Sequence, residues 1–164
     1  MKFGVGESVG RVEDRRFITG NGRYTDDVDP GAGLRVAFLR APNAHARLKS
    51  LDYNAAEIAL GVRLVASQSD LNADQIGEIH CQLRIENFDG SKMPMTKKPP
   101  MVRDTNPNVG DIVAMVVADT QTEADDAVEL IAASLDPLPA VTDVYTAMAD
   151  AARGSFPAAR HPHV

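Results

Sequence analysis

Arg40-Ala41-Pro42-Asn43-Ala44-His45-Ala46-Arg47 brings two guanidinium groups and an imidazole close together in the chain. The planar fork of arginine binds a carboxylate or phosphate through paired hydrogen bonds. Arg40 and Arg47 could therefore hold an anion between them or anchor a segment to a partner domain. His45 could shuttle a proton, or bridge backbone groups as a structural imidazole. Pro42 fixes its own φ and lacks an amide donor, so a strand before it should end or bend there. Ala41, Ala44 and Ala46 are small enough for close backbone packing. The stretch reads as a tight connection between an alternating run, Leu34 to Leu39, and a short segment from Leu48 to Asp52.

Other reactive residues point to structure rather than catalysis. His80 and Cys81 are adjacent, so on a strand they face opposite ways and cannot ligate one metal together; burial suits Cys81 better. His161-Pro162-His163 lacks acidic or thiolate companions for a metal. Gly4-Val5-Gly6-Glu7-Ser8-Val9-Gly10 has its last glycine one position late for a dinucleotide loop, and no strand precedes it. Asp26-Asp27 could bind a cation or cap a turn, and a site around His45 with this pair is a third, weaker reading. Glu123, Asp125, Asp126 and Glu129 read as the solvated face of a helix. No catalytic, cofactor-binding or metal-ligating residue is expected in the chain.

The 164 residues suffice for one domain with tails, and an apolar content of 44% argues against general disorder. With no Trp and aromatics at 5%, the core must be built from Val, Leu, Ile, Ala and Met. The formal charge of −6 opposes a nucleic-acid phosphate backbone. The one basic stretch, Lys92, Lys97, Lys98 and Arg103, has no interleaved aromatics for base stacking. Cys81 is the sole cysteine, which excludes an internal disulfide. No signal-like or membrane-spanning apolar run occurs, so a cytoplasmic location without nucleic-acid or membrane partners is expected.

Several elements must position these residues. Residues 1–33 are glycine-punctuated and read as an extended arm. Leu34 to Leu39 is a strand with Leu34, Val36 and Phe38 on one face. Asn54 to Leu60 is a short helix ended by Gly61, and Val62 to Ala66 is a strand. Residues 72–108 read as a long loop or insertion with some strand-like alternation from Ile76 to Ile85. Asp111 to Ala118, almost wholly apolar, is expected in the middle of a sheet with both faces covered. Thr120-Gln121-Thr122-Glu123 is a capping box, and Ala124, Ala127, Val128 and Ile131 follow at helical spacing. Asp136-Pro137-Leu138-Pro139 stops regular structure. One or two helical turns are expected within 147–152, and 149–164 reads as a tail or linker.

Arg11 to Phe17, Gly20-Asn21-Gly22-Arg23-Tyr24-Thr25-Asp26-Asp27 and Arg40 to Arg47, in this order, resemble the opening of molybdenum hydroxylase large subunits. That family includes xanthine dehydrogenase, aldehyde oxidase and aerobic carbon monoxide dehydrogenase. Gly61-Val62, Ser69-Asp70-Leu71, Val109 to Ala114 and Pro137-Leu138-Pro139-Ala140-Val141 extend the likeness. It implies an α+β fold, the α/β-hammerhead, with a mixed sheet, two packed helices and a projecting bent-strand motif across 34–148.

The resemblance also implies oxidative hydroxylation of a heteroaromatic or aldehyde carbon by a larger complex. Molybdopterin would lie in later domains of the subunit or in a separate chain, with iron–sulfur clusters and FAD beyond it. This region would act as a scaffold, with Arg40, His45 and Arg47 at an interface with the pterin-binding domains or in its supporting turn. The competing expectation is a free-standing, non-catalytic interaction or assembly module of the same fold.

Overall fold

The computed structural model describes residues 4, 6, 10–28, 31–80, 82–83, 85–86, 90, 92 and 98–148. Two units divide the chain, Met1–Gly33 and Leu34–Val164. Readings at Cys81, His161 and His163 lie outside the described residues, as do those for the segment from 149 onward.

The first unit is not simply extended. Asp14–Ile18 forms α1, and Thr25–Asp27 makes a 3-10 turn. Asp14 suits the positive end of α1. Phe17 stacks on Tyr24 with ring centroids 5.1 Å apart. Gly22 lies against the Phe17 ring, where any β-carbon would collide. These contacts within one short segment fold what the glycine spacing alone presents as an arm.

In the second unit the strands are β1 (Arg35–Arg40), β2 (Ala46–Asp52), β3 (Val62–Ser67), β4 (Thr105–Asn106), β5 (Ile112–Ala118) and β6 (Ala132–Pro137). They form two three-stranded sheets, ordered β1–β5–β3 and β4–β2–β6, and every ladder is antiparallel. The α+β class holds, and the mixed sheet expected from the resemblance is instead two antiparallel sheets. The division arises at Pro42: the chain leaves the first sheet at Arg40 and enters the second at Ala46. A register shift at Leu39/Arg40 starts the bend, as a bulge re-aims a strand.

The helices of this unit are α2 (Asn54–Glu57), α3 (Gln68–Ala73), α4 (Gln121–Glu129) and α5 (Val144–Met148). The expected helix from Asn54 to Leu60 stops early. Beyond Glu57 the chain tightens into i,i+3 bonds, Ala59 N–H to Ala56 O and Val62 N–H to Ala59 O. Gly61 follows at φ +75°, the left-handed turn that glycine permits. At α4, the Thr120 hydroxyl accepts the Glu123 N–H at 3.2 Å and the Glu123 carboxylate accepts the Thr120 N–H at 3.0 Å. This reciprocal cap is the one the sequence spells out.

β5 is central, as its composition requires. Val65, Ala114 and Val116 form a core with Ala56 of α2, Ala127 of α4 and Ile131. Complete burial of Val113 and Val116 stabilises the fold by roughly 1.5–3 kcal/mol for each side chain. Ala37, Ala118 and Ala124 pack beside that core. The covered face of β1 therefore carries Ala37 and Leu39, while Leu34, Val36 and Phe38 stand on the more open side. The expectation that both faces of β5 are covered is met on one side only. Met115 and Val117 on the second face remain partly exposed.

Residues 72–108 are not loop throughout. Ile79 pairs with Lys98 and Glu86 with Lys92, two nested antiparallel bridges. Thr105–Asn106 then joins β2 as β4, opposite Arg47 and Ala46. That pairing spans distant chain positions and leaves no local periodicity. Among the described residues no helix is long and apolar enough to cross a membrane.

Candidate functional site

The connection from β1 to β2 is fixed by backbone bonds to two distant segments. Ala41 is buried; its N–H donates to Asp111 O at 2.9 Å, and its carbonyl accepts from Gly110 N–H at 2.8 Å. The carbonyl of Asn43 accepts from the Asn106 side-chain amide at 2.6 Å. His45 O accepts the Leu138 N–H at 2.8 Å. A short turn with three tiny residues can sit this close to its neighbours; larger side chains would push it away.

Arg40, His45 and Arg47 take separate positions around this turn. Arg40 Nη1 donates to Gly110 O at 2.8 Å, and its guanidinium carbon lies 5.5 Å from the Phe38 ring centroid. Both contacts suit a delocalised planar cation. His45 Nδ1 lies 2.9 Å from Pro139 O. A carbonyl oxygen only accepts, so Nδ1 carries the proton. His45 thus ties the turn to the segment after β6. Arg47 lies in β2, its backbone between Thr105 and Asp136, with the side chain exposed. No hydrogen bond or ion pair joins any two of the three among the described residues.

A cleft of about 370 Å³ opens beside Arg40, walled in part by Pro99, Met101, Pro107 and Ile112. Its charges are largely matched: Lys98 Nζ meets Asp111 at 3.2 Å, and Arg103 meets Glu78 at 3.4 Å. Asp111 also accepts the Asn108 N–H at 3.0 Å, closing the turn that delivers Gly110 to Ala41 and Arg40. The cleft itself leaves no mark in the sequence, because Glu78 and Lys98 reach it through the nested bridges. Only the Asn108–Asp111 turn beside it is a local signal, since such side chains bind backbone a few residues away.

Asn106 is a second residue whose role has no local signal in the sequence. It is 0% exposed, and its Nδ2 donates to Asn43 O and, at 3.2 Å, to Asn108 O. It clamps the Pro42 turn to the turn ahead of β5. Its Oδ1 has no hydrogen-bond partner among the described residues. Exchanging the two amide atoms would be worse, because both neighbours are carbonyls.

A hydroxyl–carboxylate cluster lies at the start of α3. Ser67 Oγ and the Ser67 N–H both donate to Asp70 Oδ2, at 2.6 and 2.7 Å, and Tyr53 OH reaches the same carboxylate at 3.2 Å. The Ser67 hydroxyl bond, the largest cause, holds the Asp70 carboxyl below its ordinary pKa, while burial raises that of Tyr53. With no imidazole partner among the described residues, Ser67 acts here as a helix cap. Within the Asp26-Asp27 pair, Asp27 is likewise a turn device: its carboxylate accepts the Tyr24 N–H at 2.8 Å. Glu123 is engaged by its cap and Asp125 by Gln121, at 2.9 Å.

Sheet pairing, the bent β1–β2 connection and the cap-bearing α4 define a small α+β domain of the hammerhead type. The chain belongs to the aldehyde oxidase and xanthine dehydrogenase a/b hammerhead domain family, whose model matches residues 19–139. It is 34% identical over 139 residues to the nicotine 6-hydroxylase large subunit of Paenarthrobacter nicotinovorans, a match covering 85% of this chain and 16% of that protein. Its fold is similar to that of quinoline 2-oxidoreductase from Pseudomonas putida 86, with a TM-score of 0.75 and 39% identity over 91% of this chain and 18% of that one. It also resembles the Cu,Mo-CO dehydrogenase, with a TM-score of 0.68 and 31% identity over 90% of this chain and 17% of that one. The chain therefore spans less than a fifth of the length of these relatives.

Proposed function

We propose that this chain is the hammerhead domain of the large subunit of a molybdopterin-dependent hydroxylase or dehydrogenase, and that its role there is scaffolding. The observation carrying this reading is the family match across residues 19–139, shared with relatives in which the same region is a small part of a large subunit. The assembled enzyme would oxidatively hydroxylate a heteroaromatic or aldehyde carbon in the cytoplasm. Molybdopterin would reside in other domains of the subunit or in a separate chain, with iron–sulfur and flavin components as further partners.

No three His, Cys, Asp or Glu side chains among the described residues gather as a group that could hold a metal ion. Two of the carboxylates in the cleft beside Arg40 are tied to Lys98 and Arg103. What these residues do supply is a rigid turn. Arg40, His45 and Arg47 stand on the β1–β2 connection, and the exposed Arg47 keeps its fork available for a carboxylate on a neighbouring domain. We assign these three residues to the domain interface and its supporting turn.

The test is assembly. The chain is co-expressed with the nicotine 6-hydroxylase large subunit of Paenarthrobacter nicotinovorans lacking its own matched region. Co-purification of the two polypeptides in one complex is the expected result. A chain that is folded by circular dichroism but elutes alone overturns the scaffold reading and favours a free-standing module.

A further inference from the structure

We propose that the open face of the β1–β5–β3 sheet is the seat for an apolar surface supplied by the remainder of the large subunit. This deepens the scaffold reading, on which it rests, by naming the face used and the chemistry it meets. The ladders set Val36, Val117 and Leu64 in one row across the three strands, with Phe38 and Met115 beside each other in the next. Val36 is 42% exposed, Phe38 41% and Leu64 49%, with Met115 and Val117 half-buried between them. α2 and α4 pack on the opposite face, against Ala37, Val65, Ala114, Val116 and Ala118.

Two observations identify what covers the face. β5 reads Ile112-Val113-Ala114-Met115-Val116-Val117-Ala118. Such an unbroken apolar run belongs to strands buried on both sides, whereas a solvated face selects alternating polar residues. The missing layer must therefore be protein, since a row of Val, Leu, Met and Phe gains little from water. The relatives supply its source: 82–84% of their length lies outside the region this chain matches. Arg40, held over the Phe38 ring, adds a cation at one edge of the row. The complementary surface is thus aliphatic and aromatic at its centre, with a carboxylate or carbonyl oxygen opposite Arg40.

A photo-crosslinking amino acid placed at 38, 64 or, as a control, at exposed Ser50 in the second sheet tests this. The labelled chains are co-expressed with the truncated nicotine 6-hydroxylase large subunit described above. Adducts to that subunit from positions 38 and 64, but not 50, are expected, and V36S/L64S should abolish the adduct from 38. Because these side chains are partly exposed, the serine variant should retain its circular dichroism spectrum. Co-purification with adducts only from position 50 overturns the proposed face while leaving the scaffold reading intact. Absence of co-purification overturns both. Adducts from 38 to a second copy of this chain also overturn the proposal, making the face a self-association surface.

Discussion

Asn106 spends both amide hydrogens on the carbonyls of two different turns, so its loss should be felt at the Pro42 turn and before β5 together. Asn106→Ala is expected to destabilise the chain by about 1–3 kcal/mol, the cost of leaving buried partners unpaired, read as a shift in the urea midpoint. Asn106→Asp should cost more at neutral pH, because a buried carboxylate would face two carbonyl oxygens. Its deficit should shrink in acid, where the protonated acid regains one donor; a deficit that grows in acid would refute this account. Asp70 gives the opposite sign. Its carboxyl is held below the ordinary 3.8, chiefly by the Ser67 hydroxyl. The native state then binds fewer protons than the unfolded chain, so the stabilisation is complete above the unfolded pKa and is lost as pH falls through the lowered native value. Ser67→Ala should flatten this acid limb of a stability–pH curve; an unchanged limb would assign the effect elsewhere.

Among the elements, the first turn of α4 shows how much local sequence can state. Thr120 and Glu123 are three residues apart, and their reciprocal bonds need nothing from the rest of the fold. β5 was legible for a similar reason, since its composition alone places it centrally. α3 was missed although Ser67 and Asp70 form the same kind of box, because its six residues offer too little helical periodicity to notice. β4 depends on the antiparallel excursion from Ile79 to Lys98, and His45 finds Pro139 94 residues away. No window of sequence holds such partners. Gly61 joins the local and distant cases. Its positive φ ends the turn after α2, while a β-carbon there would collide with the Glu123 carboxylate that caps α4. Gly61→Ala should therefore cost about 1 kcal/mol for the backbone and about 1 kcal/mol more for the displaced cap. In a Glu123→Ala background only the backbone part should remain. Additive costs in that double-mutant cycle would show that the two elements do not communicate through this contact.

For the molecule as a whole, the distribution of burial determines which part of the chain can fold by itself. Every hydrophobic residue in the core of the described chain lies between Ala37 and Ile131. Both sheets, α2, α3 and α4 also fall after Gly33. A chain beginning at Leu34 therefore retains the core and the antiparallel ladders of the described residues, and a domain of this size can unfold as one cooperative unit. Deleting residues 1–33 should leave a single sigmoidal urea transition, with the slope against denaturant reduced roughly in proportion to the surface removed. Near-UV circular dichroism should retain the signal of Tyr53, which sits against the α2–α4 core, and lose that of Tyr24. A broad, non-cooperative transition would show that the second unit needs the first to fold, despite holding the core alone. The same truncated chain would still carry Val36, Phe38 and Leu64 on its open sheet face. Concentration-dependent association that disappears in V36S/L64S would trace any stickiness of the isolated domain to that face, whereas association unchanged by the substitutions would place it elsewhere.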